Sequence, residues 1–228
     1  MGNTLNLNLQ TGLKAYIKCW KSEELLFSYG CKVVNTAKQT VFHLHQLGTN
    51  LSIEMGLEEH TECLRLNSFL IKDNESLERT SESLYDAALI ELVLQALDVI
   101  YFCAHYGSKP EVAFFLTKQE AAQLDFYSYL FSEISIISTA EGRRKLLILP
   151  ASKYHYEEFL DEKEDIESQV QRRMWVQQKS DPLIRQYLQV ARSHKVSFLS
   201  TLLERKEKLS VSESNVVSFP RQSFCSLA

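Results

Sequence analysis

The sequence predicts an all-α fold, a multi-helix bundle around one buried central helix, on three observations. Gly occurs seven times and Pro four times in 228 residues, too few for the many turns that a sandwich or barrel of short strands needs. Residues 87–104 are one apolar run broken only by Glu91, Gln95 and Asp98, and a helix apolar nearly all round must be surrounded by others. Several further segments repeat apolar residues at steps of three and four. The alternative is an α/β domain in which 5–9, 112–116 and 145–149 pair as a small sheet.

Taken in order, Leu5, Leu7 and Leu9 alternate with Asn, which suits a short strand or an extended arm. Residues 13–20 suit a short helix. Residues 22–47 read as a long helix carrying Leu25, Leu26, Tyr29, Val33, Ala37, Val41 and Leu44, with Gly48 at its end and Gly30 as a weak point within it. Residues 57–71 read as a shorter amphipathic helix and 72–80 as a polar loop. Residues 81–106 form the dominant helix, ended by Gly107. Thr117 and Glu120 make a capping box that opens a helix to about residue 137. Residues 145–149 are an apolar run closed by Pro150, a single strand. Residues 152–178 form a charged helix. Asp181-Pro182 starts a last one, to about residue 208. The expected organisation is one helical domain over 1–209 and a disordered tail over 210–228, where six of nineteen residues are Ser.

Composition limits the function classes. Hydrophobic residues make up 45% and charged residues 24%, which excludes global disorder. The net charge of -4 argues against a generally basic nucleic-acid binder. The charge is split, however. Residues 1–140 hold ten Lys and Arg against seventeen Asp and Glu, and residues 141–209 hold fourteen against eleven. The five cysteines are odd in number and form no CxxC pair, and the first thirty residues contain no signal-type apolar stretch. Both point to a cytoplasmic protein with reduced thiols. Two acids in the 87–104 run count against membrane insertion at roughly 2.5 kcal/mol or more each, so no transmembrane segment is expected. Cys225-Ser226-Leu227-Ala228 fits a loose C-a-a-X pattern, which makes Cys225 a lipidation candidate.

No Walker loop, GxGxxG, HExxH, GxSxG, EF-hand loop or CxxC occurs, and no cofactor is expected. Three constellations remain. Glu91, Gln95 and Asp98 fall on one stripe of the central helix. Facing the core, those acids must be paired, metal-bound or protonated, and Glu91 and Asp98 are then candidate catalytic acids. Facing solvent, or paired with a neighbouring Lys or Arg, they are structural. His60 and Cys63, three apart, can share a helical face as metal ligands, whereas His43 with His45 and Cys103 with His105 diverge by about 200° on a helix. Arg143, Arg144, Lys145, Arg172, Arg173, Arg185, Arg192 and Lys195 could track phosphates on nucleic acid, with Trp175 and Tyr187 near enough in sequence to stack on bases. Alternatively they form a solvated face paired with the acids of 157–167.

The expected function is a non-catalytic cytosolic protein that mediates protein–protein interaction, an adaptor or assembly factor, with a protein partner or a homo-oligomer. The alternatives are a nucleic-acid-associated protein using residues 141–209 and a metal- or carboxylate-dependent enzyme sited on the 81–106 helix.

Overall fold

A computed structural model describes residues 4–5, 9–13, 16, 27–47, 49, 51–73, 82–139, 142–186 and 188–189. The chain divides into two compact units, Met1–Arg185 and Gln186–Ala228. Of the second unit, residues 186 and 188–189 are described, and they are helical. The expected tail over 210–228 lies outside the described residues.

The all-α, helical-bundle expectation does not hold. The first unit is built on a seven-stranded mixed sheet with the order β1-β2-β3-β4-β5-β7-β6. Strands β1 (Ser28–Asn35), β2 (Thr40–Leu47), β3 (Leu51–Glu59) and β4 (Leu64–Asp73) form an antiparallel meander. A short helical segment, α1 (residues 9–13), precedes them. Helix α2 (Glu82–Tyr106) follows β4 and leads to β5 (Glu111–Leu116), which runs parallel to β4. Helix α3 (Lys118–Ala122) and a 3-10 turn (Asp125–Leu130) then lead to the hairpin of β6 (Glu133–Thr139) and β7 (Gly142–Pro150). β7 inserts between β5 and β6, and helix α4 (Lys153–Gln177) follows it. The alternative of a small sheet is closer. Its segments 112–116 and 145–149 lie in β5 and β7, whereas residue 9 is helical.

Where a single helix is expected over 22–47, the described part is two strands. Phe42, Leu44 and Gln46 of β2 are buried at a step of two, while His45 and Leu47 are exposed. The step of two is a strand's, not a helix's, and β-branched Val33, Val34 and Val41 favour the strand as well. Residues 57–71 mislead for a sharper reason. Leu64 and Leu66 are buried on β4, and a bulge then shifts the register opposite Gly56/Leu57, so the next buried residue is Phe69. That extra residue turns a strand's step of two into a helix-like step of three. Scarcity of glycine does not exclude strands either, because Thr side chains close the turns. Thr36 Oγ accepts from the Gln39 N–H at 3.1 Å, and Thr49 Oγ accepts from the Leu51 N–H at 3.3 Å. Among the described residues only Gly142, at φ +119°, uses the freedom peculiar to glycine.

The central helix is present as expected, at Glu82–Tyr106, but different neighbours enclose it. It packs across β2, β3 and β5 on one side and against α4 on the other. Every residue from 91 to 101 is buried. Enclosure between a sheet and a second helix demands an apolar surface all round, as a bundle core would. By length and composition Leu84–Tyr106 could cross a membrane, but 83% of its most apolar stretch is buried inside the fold. At its end Ser108, not Gly107, takes the left-handed conformation (φ 53°). The Lys109 N–H reaches Ala104 O at 2.8 Å and the Ser108 N–H reaches His105 O at 3.0 Å.

The helix expected over 117–137 breaks into three elements. The capping box is present: the Thr117 hydroxyl oxygen accepts from the Glu120 N–H, and the Glu120 carboxylate accepts from the Thr117 N–H. The helix it opens ends at Ala122. Glu120 Oε1 also accepts from the Phe69 N–H at 3.2 Å, and Gln123 Oε1 from the Ile71 N–H at 3.3 Å. β5 pairs with β4 only over residues 64–66, and the α3 segment satisfies the backbone of β4 beyond that point.

Candidate functional site

The stripe Glu91, Gln95, Asp98 on α2 faces the core, and all three side chains are buried. Asp98 is the hub of the lower end. Lys163 of α4 donates to its Oδ2 at 2.6 Å, and Tyr156 of α4 donates to Oδ1 at 3.1 Å. The Tyr16 hydroxyl lies 2.8 Å from Oδ1 and 3.1 Å from the Tyr156 oxygen. Lys163 is as enclosed as its partner, with side-chain exposures of 6% and 0%. Sequence-distant elements thus meet on one carboxylate, and each of its oxygens lies within hydrogen-bond reach of two donors.

At the upper end Glu91 Oε1 accepts from the Phe27 N–H and the Tyr29 hydroxyl, both at 3.0 Å. Gln46 of β2 donates to the Tyr29 oxygen and to Ala88 O, each at 2.9 Å. Gln95 joins the two ends by donating to Glu167 of α4 at 2.6 Å, and Glu167 lies 3.9 Å from Lys163. Gln95 Oε1 has no hydrogen-bond partner among the described residues. Burial, then the Glu91 charge, pushes the Tyr29 hydroxyl up. Burial, then the Asp98 charge, does the same to Tyr156. Both phenols therefore stay protonated as donors. The seam locks α2 to the sheet through Glu91 and to α4 through Asp98.

The metal candidates do not sit on a helix. His60 and Cys63 flank the β3–β4 turn, where the His60 N–H reaches Cys63 O at 3.1 Å. His60 Nε2 lies 3.2 Å from Glu58, and Lys109 donates to His60 O at 2.6 Å. Burial, then the nearby Glu111 charge, raises the Cys63 thiol. His43 and His45 do share a face, because their segment is β2. Their rings are near-parallel with centroids 6.5 Å apart, and His43 lies 3.5 Å from Glu54, which Lys72 also engages. Cys103 is buried and its α2 neighbour His105 exposed. Among the described residues no three His, Cys, Asp or Glu gather closely enough to hold an ion.

The basic candidates are dispersed over separate elements. Arg143 is exposed at the start of β7. Arg144 lies 3.9 Å from Glu120 and Lys145 4.0 Å from Asp125. Arg172 and Arg173 are exposed on α4. Arg185 folds back on the chain after α4, donating to Gln178 O at 3.1 Å and Lys179 O at 3.0 Å. Arg192, Lys195 and Cys225 lie outside the described residues.

Sequence reasoning missed the edge strand β6, which among the described residues is flanked by β7 alone. Its register runs without a bulge from Glu133↔Ile148 to Thr139↔Gly142, and residues 134–139 contain no charge and no Pro. Ile134 and Ile136, on one face, are 54% and 72% exposed. In the preceding 3-10 turn Phe126 and Tyr129 are 68% and 54% exposed, and burial, then Glu162 of α4, raises the Tyr129 hydroxyl. Asp125 of that turn approaches Lys145, the cross-strand partner of Ile136, which sets the turn beside the strand. Natural sheet edges are normally blunted by charge, Pro or bulges. The opposite edge, β1, carries exposed Lys32 and a central Gly30. The signal for β6 was the alternation of Ile134, Ser135 and Ile136, which the capping box upstream drew into a helix.

No protein-family model matches the chain, and a search of curated proteins finds no match.

Proposed function

We propose that this chain is a non-catalytic cytoplasmic interaction protein that takes a partner protein's strand along β6. The edge of β6, paired among the described residues with β7 alone, carries this reading. A seven-residue strand offers a row of outward backbone donors and acceptors with two exposed isoleucines beside it, the arrangement that strand addition uses for affinity and side-chain selection. The exposed aromatics of the 3-10 turn add the residue types enriched at protein interfaces. The buried seam supports the same reading from the other direction, since its carboxylates are engaged by donors of the fold itself. Among the described residues Cys63 and Cys103 are free thiols, in keeping with a reducing compartment.

The test is the paired substitution Ile134→Lys with Ile136→Lys, compared with the native chain in affinity purification from its own source. Burying an Ile contributes about 1.5–3 kcal/mol, so the loss of both weakens association by roughly a hundredfold or more. The expected result is one co-purifying species, identified by mass, that disappears with the pair while the melting temperature holds. Equal recovery of the same species by both forms would overturn the reading.

A further inference from the structure

We infer that the strand received by β6 is the β6 of a second copy, paired antiparallel about a two-fold axis through Ser135. The inference rests on the reading of β6 as a docking edge and names its occupant.

Directly opposed residues of an antiparallel pair lie on the same face. An axis through Ser135 sets Ile134 opposite Ile136 of the second copy, and Ile136 opposite its Ile134. All four exposed isoleucines then form one unbroken apolar stripe. Moving the axis to Ile136 opposes each Ile134 to a Ser138 and breaks that stripe. Moving it to a point between residues turns the two sets of isoleucines to opposite faces. The strand is therefore complementary to itself in one register, as a closed two-fold interface requires.

Charge along the edge selects the antiparallel direction. The acidic residue Glu133 opens β6, while Arg144 is the cross-strand neighbour of Ile137 near its other end, with exposed Arg143 beyond. In the proposed register Glu133 opposes Ile137 of the second copy. That sets its backbone two strand spacings, about 10 Å, from that of the second copy's Arg144, and symmetry repeats the relation. A parallel arrangement would bring the two acidic starts together and the two basic ends together. Continuous pairing across the axis also removes the unprotected edge from both copies.

The experiment is sedimentation velocity of the full chain from low to high micromolar concentration, joined to cross-linking through Ser135→Cys. The interface is a short edge, so dissociation on the order of micromolar is expected. The native chain should pass from monomer to dimer, and Ile136→Lys should cut the dimer fraction at least tenfold. Opposed backbone positions at ~4.5–5.5 Å lie within disulfide reach. Under oxidised glutathione Ser135→Cys should therefore yield a covalent dimer, whereas Thr139→Cys and the native chain should not. The cross-link needs no apolar residue removed, so it reports even if Ile136→Lys perturbs folding. A native chain that stays monomeric with no Ser135→Cys dimer overturns the inference. So does a dimer that persists unchanged in Ile136→Lys. If a different protein then still co-purifies through β6, only the occupant is wrong. If the β6 substitutions change no association at all, the docking reading fails as well.

Discussion

Lys163→Met should lower folding stability by about 3–5 kcal/mol, the loss seen when one partner of a buried ion pair is removed. Lys163 and Asp98 are both enclosed between α2 and α4, 2.6 Å apart. Without the ammonium, the Asp98 carboxyl loses its opposite charge, and the Tyr16 and Tyr156 hydroxyls supply hydrogen bonds but no compensating charge. Removing both charges, Asp98→Leu with Lys163→Met, should recover much of the loss, because an apolar pair of similar volume is often no less stable. The two tyrosines would then keep a deficit of roughly 1–3 kcal/mol for an unmet hydroxyl. Denaturant unfolding of the two singles and the double measures the coupling directly. A single-variant loss below about 1 kcal/mol, the range of an exposed pair, would show that solvent reaches this site.

Glu120→Ala should cost about 2–4 kcal/mol, combining a lost helix cap with an unmet backbone donor. Its carboxylate holds the Thr117 N–H at 2.8 Å, the Thr117 hydroxyl at 2.7 Å and the Phe69 N–H at 3.2 Å. The last of these satisfies β4 where β5 no longer pairs with it. Chemical denaturation gives the total, and amide exchange at Phe69 separates the two contributions. A loss confined to helix α3, with Phe69 protection unchanged, would contradict the role assigned to Glu120 in the sheet.

Glu120 also shows what the sequence could and could not disclose. The capping box with Thr117 is a local pattern and was legible. The reach to Phe69, fifty-one residues away, was not. The same division runs through the fold. Helix α2 was marked by a long apolar run and α4 by a charged segment, and Asp181 caps the following turn as its pairing with Pro182 suggested. The four-stranded meander was hidden because the bulge in β4 counterfeits a helical step and because a threonine hydroxyl, with no glycine, closes the β1–β2 turn. In the seam, the common face of Glu91, Gln95 and Asp98 followed from helical spacing alone. That they face inward, toward Lys163 and Tyr156 of α4 and Tyr29 of β1, depends on tertiary pairings that spacing does not encode. The β6 edge was invisible for the same reason, since an edge exists only once the strand order is known.

That β6 is a docking edge is tested most directly by amide hydrogen exchange over residues 133–139 of the native chain, at low and high concentration and after purification with its partner. Protection of these amides should rise at least tenfold on association, while that of the β1 edge over 28–35 stays constant. Protection of 133–139 that is identical in the isolated and associated protein would contradict the proposed role of β6.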